Sequence, residues 1–298
     1  MVKYEITTKM CTKSTYGNLY IVRKSKNQPE NTKNIFCMKK PKKIFKKHRY
    51  PFIRKEIDIL EEIDSKYVVE ILHSNYFAKT PYFIMPLYDC NLFYAIHNHY
   101  YVIENNIVNI MKKCLIGLKD IHNCGVIHGD IKPSNIVLDI SNKNIKYIDF
   151  GNSIYEDSQE ENDFEITCTS NYRAPEIFLG QKFHTYNFDI WSLGCIFSEL
   201  ITKKVLFSGN KSEVIKKKIF NMIGCCDTKY LKSLPLYNKK KKYLYKQESI
   251  LKNYLKINNK FIHIKKDLII DLICSMLKPD PTKRPTEEEL LQNSLFSE

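Results

Sequence analysis

Residues 189–201, DIWSLGCIFSELI, carry apolar side chains on nearly every side of a helical projection: Ile190, Trp191, Leu193, Ile196, Phe197 and Leu200. A helix that is apolar all round has no face to give to water, so it is expected to be central and buried. Ile107, Ile110, Met111, Cys114, Leu115, Leu118 and Ile121 recur at helical spacing, and Leu268, Ile269, Leu272, Ile273 and Met276 make a third stripe closed by Pro279. Beyond Asp89 the chain therefore predicts a helical body.

Before about residue 85 the pattern differs. Residues 19–23, 35–39, 68–72 and 82–85 are β-branched or aromatic runs that predict short strands. One helix, 52–63, interrupts them, with Ile53, Ile57, Leu60 and Ile63 on its inner face. Glu56 falls on that same face, an odd place for an acid unless a cation meets it. The pattern is α+β: a small β-rich part with one helix, then a larger helical part, with no internal repeat or long linker.

Composition narrows the function classes. In 298 residues, 43% apolar and 12% aromatic content supports a real core and argues against disorder. No apolar run approaches the roughly 20 residues that span a bilayer, and the start, MVKYEITTKM, has no signal-peptide core. The 10 cysteines are scattered, without C-x-x-C or zinc-ligand spacing, which fits reduced thiols in the cytoplasm or nucleus. The net charge of +14 is clumped in 39–49 and 239–242. It reads as a solvated lysine-rich surface, or else as a nucleic-acid patch or nuclear-import signal; no nucleic-acid recognition motif accompanies it.

Four polar motifs follow in order: His128-Gly129-Asp130-Ile131-Lys132-Pro133-Ser134-Asn135; Asp149-Phe150-Gly151, with Asp149 14 residues after Asn135; Ala174-Pro175-Glu176; and Asp189-Ile190-Trp191-Ser192-Leu193-Gly194. The set resembles the catalytic loop, metal-binding loop, activation-segment end and central helix of the eukaryotic protein kinases, over essentially the whole chain. The resemblance implies a bilobal kinase fold forming one domain, 1–298, with N-lobe 1–85, hinge 86–91, C-lobe 92–298 and activation segment 149–176. It also implies ATP and Mg²⁺ as cofactors and proteins as substrates.

Phosphoryl transfer depends mainly on positioning and on neutralising phosphate charge. By resemblance, Asp130 orients the substrate hydroxyl or accepts its proton, and Lys132 steadies the γ-phosphate. Asn135 and Asp149 supply the hard oxygen ligands that Mg²⁺ prefers. Phe36-Cys37-Met38-Lys39 resembles the strand whose lysine holds the α- and β-phosphates, with Glu56 as its partner. Strand alternation puts Cys37, over the adenine, on the face of Lys39, although a shift of one residue would substitute Lys40.

Residues 12–19 occupy the place of the glycine-rich loop, and of its glycines only Gly17 is kept. Thr12, Ser14, Gly17 and Leu19 are its nucleotide-binding candidates. Close backbone approach to phosphate favours residues without a Cβ, so this segment opens an alternative, a kinase-fold scaffold with weakened nucleotide binding. Residues 81–88 resemble the last strand and hinge, with Met85 as gatekeeper. The Pro86 carbonyl and Tyr88 N–H would meet the adenine edge, with Asn91 just beyond and Val137 as the floor.

Lys132-Pro133 resembles the serine/threonine type. Residues 172–177, 191–200 and 206–209 look like the CMGC group of cyclin-dependent, MAP, glycogen-synthase, DYRK-like and splicing-factor kinases. Arg173 implies a preference for Pro after the target residue, although Ser170-Asn171 departs from the usual bulky or basic pair. Glu176 with Arg284 resembles a buried ion pair bracing the activation segment. Asp189 resembles the acid that holds the catalytic loop, and Thr169 the residue that hydrogen-bonds the catalytic Asp.

Gly129 stands where many kinases carry an Arg that clamps an activation-segment phosphate. Glu156, Asp157, Glu160, Glu161, Asp163 and Glu165 crowd 155–165 without Lys or Arg. Activity is therefore expected not to depend on phosphorylation there. The chain is expected to be all kinase domain, which leaves a regulatory subunit acting in trans as a candidate partner, although 54–56 do not closely match a cyclin-binding helix. Membrane and specific nucleic-acid partners are not expected.

Overall fold

The computed structural model describes residues 4–10, 17–24, 34–41, 50–141, 143–158, 169–224, 229–237, 250–259 and 265–297. Strands β1 (Tyr4–Lys9), β2 (Gly17–Lys24) and β3 (Ile35–Pro41) precede helix α1 (Tyr50–Glu62), and β4 (His73–Asn75) and β5 (Tyr82–Pro86) follow it. They form one antiparallel sheet in the order β1-β2-β3-β5-β4. Side chains alternate across it. Val22, Met38 and Ile84 pack on one face with Tyr4, Tyr20, Phe36 and Tyr82. Cys37, Phe83 and Met85 join the main core on the other, where α1 contributes Ile53, Ile57 and Leu60.

Two strand expectations need correction. Residues 68–72 are not a strand of this sheet. Val68 bridges to Tyr147, the Val69 N–H donates to the Tyr147 carbonyl (3.0 Å), and only at Leu72 does an N–H reach Ile84 (2.8 Å). A β-branched run shows that a segment is extended, not which strand will pair with it. Strand β1 was not among the expected runs because most of it is exposed and shows no burial alternation.

The larger half begins at β6 (Cys90–Asn91) and continues with α2 (Leu92–Asn98), α3 (Ile107–Asn123), β7 (Val126–Ile127), β8 (Ile136–Asp139), β9 (Asn144–Tyr147) and β10 (Ile154–Tyr155). Then come α4 (Pro175–Phe178), α5 (Tyr186–Thr202), α6 (Ser212–Ile223), α7 (Lys229–Ser233), α8 (Leu251–Asn258), α9 (Lys266–Met276) and α10 (Glu287–Leu291). Every residue of α5 from Phe188 to Thr202 is buried, as its all-round apolarity requires. Helices α3, α8 and α9 pack against it. The architecture is the bilobal α+β arrangement expected: a five-stranded sheet with one helix, then a helical body. Among the described residues no helix is long and apolar enough to cross a membrane.

Candidate active site

Three elements distant in sequence meet at Lys39. Its side chain leaves β3 on the Cys37 face and is buried, with Nζ 2.5 Å from Glu56 Oε1 on α1 and 2.6 Å from Asp149 Oδ1. Lys40, on the opposite face, lies 5.1 Å from the Tyr82 ring centroid. Strand parity thus separates the two lysines. Gly17 is opposite Pro41, and a Cβ there would come within 2.9 Å of the Lys40 carbonyl and 3.1 Å of Lys39 Cγ. This glycine makes room for β3 itself.

One ammonium therefore faces two carboxylates, and they respond oppositely. Burial pushes the Glu56 carboxyl up to about 7, against the pull of Lys39 and a hydrogen bond from the Phe150 N–H (3.1 Å). Burial alone would also raise Asp149, but the charge and hydrogen bond of Lys39, with Lys132 behind them, hold it below the usual carboxylate range. Asp149 stays anionic and sits in the left-handed backbone region at φ 68°.

Asp130 is buried and held from both sides. Oδ1 accepts the Thr169 N–H and hydroxyl, each at 3.1 Å. Oδ2 accepts Lys132 Nζ at 2.5 Å and Asn135 Nδ2 at 3.3 Å. Lys132 also donates to Thr169 Oγ1 (3.0 Å), so the hydroxyl accepts from the lysine while donating to the aspartate. Asn135 Nδ2 reaches the Asp130 carbonyl as well, at 2.9 Å. The described hydrogen bonds of Asn135 and Asp149 use Nδ2 and Oδ1 respectively. The opposite oxygens remain as a hard amide-carboxylate donor pair, a set that fits Mg²⁺.

The loop that carries Asp130 is fixed from behind. Asp189, buried on α5, accepts the N–H groups of His128 (2.7 Å) and Gly129 (3.1 Å). His128 Nδ1 accepts the Asp130 N–H at 3.3 Å and Nε2 faces the Ile148 carbonyl at 3.2 Å, which assigns the Nε2–H tautomer. Burial keeps that imidazole below its usual pKa, as a ring that must accept requires. Gly129 has φ 76°, and a Cβ would stand 2.9 Å from the Asn152 carbonyl. Glu176 and Arg284 form a bidentate pair at 2.7 Å per contact, both fully buried.

The adenine-side candidates lie on two walls. Leu19, Cys37 and Met85 share one face of the five-stranded sheet, Leu19 opposite Lys39 and Cys37 opposite Met85. Pro86 closes β5 opposite Phe36, and Tyr88 packs half-buried against the core. Asn91 pairs with Val137 across β6 and β8. Its Oδ1 is committed to capping α2 through the Tyr94 N–H (2.9 Å). Thr12 and Ser14 lie outside the described residues, as do Glu160, Glu161, Asp163 and Glu165.

Two neighbours of the site were missed. Met10 places its sulfur 3.9 Å from Cys37 Sγ, and nothing in the polar run before it marks that role. His122 lies between Asp189 (3.0 Å) and Glu287 (2.5 Å). Its apolar helical stripe gave no sign of a charge cluster.

The family model for the protein kinase domain matches residues 15–296. The chain belongs to the protein kinase family. It is similar to mitogen-activated protein kinase 5 of Arabidopsis thaliana, 35% identical over 222 residues that cover 70% of this chain and 54% of that protein. Cyclin-dependent kinase E-1 of the same plant is 30% identical over 313 residues, 95% of this chain and 64% of that one. The CTD kinase subunit alpha of Schizosaccharomyces pombe is 28% identical over 293 residues, 95% and 46%. Relatives of these kinds place the chain with the CMGC type of serine/threonine kinase. The chain spans about half to two thirds of the length of these curated relatives.

His122 gives this chain a pH signature. Burial would lower its pKa, but the hydrogen bond to Asp189 and the nearby Glu287 carboxylate raise it from 6.5 to about 9. A raised histidine stabilises fully below pH about 6.5, and the gain is lost as pH climbs through about 9. The size is on the order of 3 kcal/mol, at about 1.4 kcal/mol per pKa unit. Melting temperature should fall between pH 6.5 and 9, and fall less steeply in His122→Gln; parallel curves for the two proteins would refute this assignment.

Proposed function

We propose that the chain transfers the γ-phosphate of Mg-ATP to Ser or Thr hydroxyls of protein substrates, with a preference for a following Pro. The carrying observation is that Lys39 joins Glu56 to Asp149 while Lys132, Asn135 and Thr169 hold both oxygens of Asp130. Lys39 is positioned to bind phosphate oxygens, with Glu56 fixing its ammonium. Asp130 orients the acceptor hydroxyl and takes its proton at a carboxylate oxygen, and Lys132 steadies the group in transfer. Asn135 and Asp149 would hold Mg²⁺, which would supply charge neutralisation at the phosphates.

The proline preference is supported by Arg173, whose guanidinium lies 5.4 Å from the ring centroid of Phe178 at the end of α4, and by the similarity to mitogen-activated and cyclin-dependent kinases. One similar protein is named as a kinase subunit, which supports a regulatory partner acting in trans.

The test is transfer of labelled phosphate from Mg-ATP to Ser-Pro and Ser-Ala peptides, before and after phosphatase treatment. Mass spectrometry confirms that 152–173 are unmodified. Gly129 has no side chain to clamp a phosphate, so turnover should survive the phosphatase within tenfold. A larger loss would defeat phosphate independence, and a folded chain that transfers to neither peptide would defeat the kinase reading in favour of a scaffold.

A further inference from the structure

A cavity of about 630 Å³ lies where α2, the turn after α5, α6 and the start of α8 meet. None of its lining residues belongs to the site described above. Lys203, Lys204 and Lys218 line it, and no Asp or Glu is among the described lining residues. Neutral acceptors position two of these ammonium groups without cancelling their charge. Lys204 Nζ donates to Asn258 Oδ1 (3.3 Å) and Lys218 Nζ to the Ser208 carbonyl (2.5 Å). Much of the remaining lining is apolar, with Met222, Tyr254 and Ile250, the last 52% exposed.

A space of this size exceeds what one anionic group fills, and cations beside apolar surface match an anion carried next to an apolar side chain. The ammonium groups of Lys204 and Lys218 favour a phosphate dianion over a single carboxylate, while that of Lys203 lies 3.8 Å from the Tyr100 ring centroid. The wall is also tied to the activation segment. His97, in the lining, lies 2.7 Å from one carboxylate oxygen of the buried Glu199, and the Tyr172 hydroxyl donates to the other at 2.7 Å. Tyr172 stands three residues before Pro175, at the end of that segment. An occupant of the cavity is therefore placed beside the stretch over which a substrate would run.

We propose that this cavity docks a protein-substrate segment carrying a phosphorylated Ser or Thr beside an apolar residue, so that an earlier phosphorylation recruits the substrate. The word substrate rests on the kinase reading; the binding does not.

The test uses a fluorescein-labelled peptide with phosphoserine next to Leu, titrated without nucleotide. The phosphopeptide should bind at least tenfold more tightly than its unphosphorylated form. Lys204→Glu/Lys218→Glu should lose tenfold or more of that affinity while phosphorylating a peptide without phosphoserine at the wild-type rate. Should the double variant melt early, Ile250→Asp at the exposed rim should weaken binding likewise. Equal affinity for the two peptides, or variants that bind as wild type, would overturn the proposal. So would displacement of the peptide by phosphatidylserine vesicles but not by phosphatidylcholine vesicles, which reassigns the cavity to a lipid surface. A chain that binds the phosphopeptide yet transfers no phosphate overturns the kinase reading alone.

Discussion

Asp149→Asn is expected to lower kcat for phosphate transfer about a thousandfold or more while the protein melts close to the wild-type temperature. The substitution keeps the shape of the side chain and removes its charge, so Lys39 loses one of its two carboxylates and the Asn135–Asp149 donor pair loses its anion. Asn also tolerates the left-handed backbone at φ 68°, which a branched or bulky residue would not. Asp149→Ala should add a stability loss of about 1–2 kcal/mol from that same backbone conformation. The relief should be felt across the cluster: with one acid gone, Glu56 keeps Lys39 to itself and its carboxyl should titrate below about 7. Single-turnover rates within tenfold of wild type would show that the anion at this position is not used in transfer.

Arg284→Ala should destabilise the fold by about 3–5 kcal/mol, the range for leaving a buried charge without its partner. The guanidinium binds both Glu176 oxygens, the carbonyls of Asn187 and Lys278, and lies 5.0 Å from the Trp191 ring centroid. In a chain of this size the loss corresponds to a fall in melting temperature on the order of 10 °C. Arg284→Lys should recover little, because a single ammonium cannot reproduce the planar two-point contact or the stack. Arg284→Met with Glu176→Leu tests the mechanism: an apolar pair of similar volume should restore much of the loss if the penalty lies in the orphaned acid. A double variant no more stable than Arg284→Ala would point instead to the carbonyl contacts.

Much of the site was legible because kinase-like motifs keep the key groups within short windows. Asp130, Lys132 and Asn135 fall in six residues, and strand and helix parity alone set Lys39 and Glu56 inward. The central helix was legible for a different reason, since apolarity on every side admits only burial. What the sequence could not show depends on partners far along the chain. Val68 and Val69 find theirs on Tyr147, and His122 finds Asp189 and Glu287 across 67 and 165 positions. The left-handed backbone of Asp149 has no local signature, because the residue type is compatible with several conformations. Met10 is an ordinary apolar residue until β2 folds back and sets it against Cys37.

The burial of α5 also divides the molecule by tempo. Amides inside a helix with no wet face exchange with solvent only when much of the body opens, so α5 should set the slow limit of hydrogen exchange. The polar contacts that run to it inherit that rigidity. The Ser192 hydroxyl grips the Tyr172 carbonyl, Glu199 grips the Tyr172 phenol, and Asp189 grips the backbone before Asp130. The residues that must meet a hydroxyl within tenths of an ångström are thus bolted to the slowest part of the chain. Strand β1, exposed along most of its length, is free to fray on a timescale many decades faster without disturbing them.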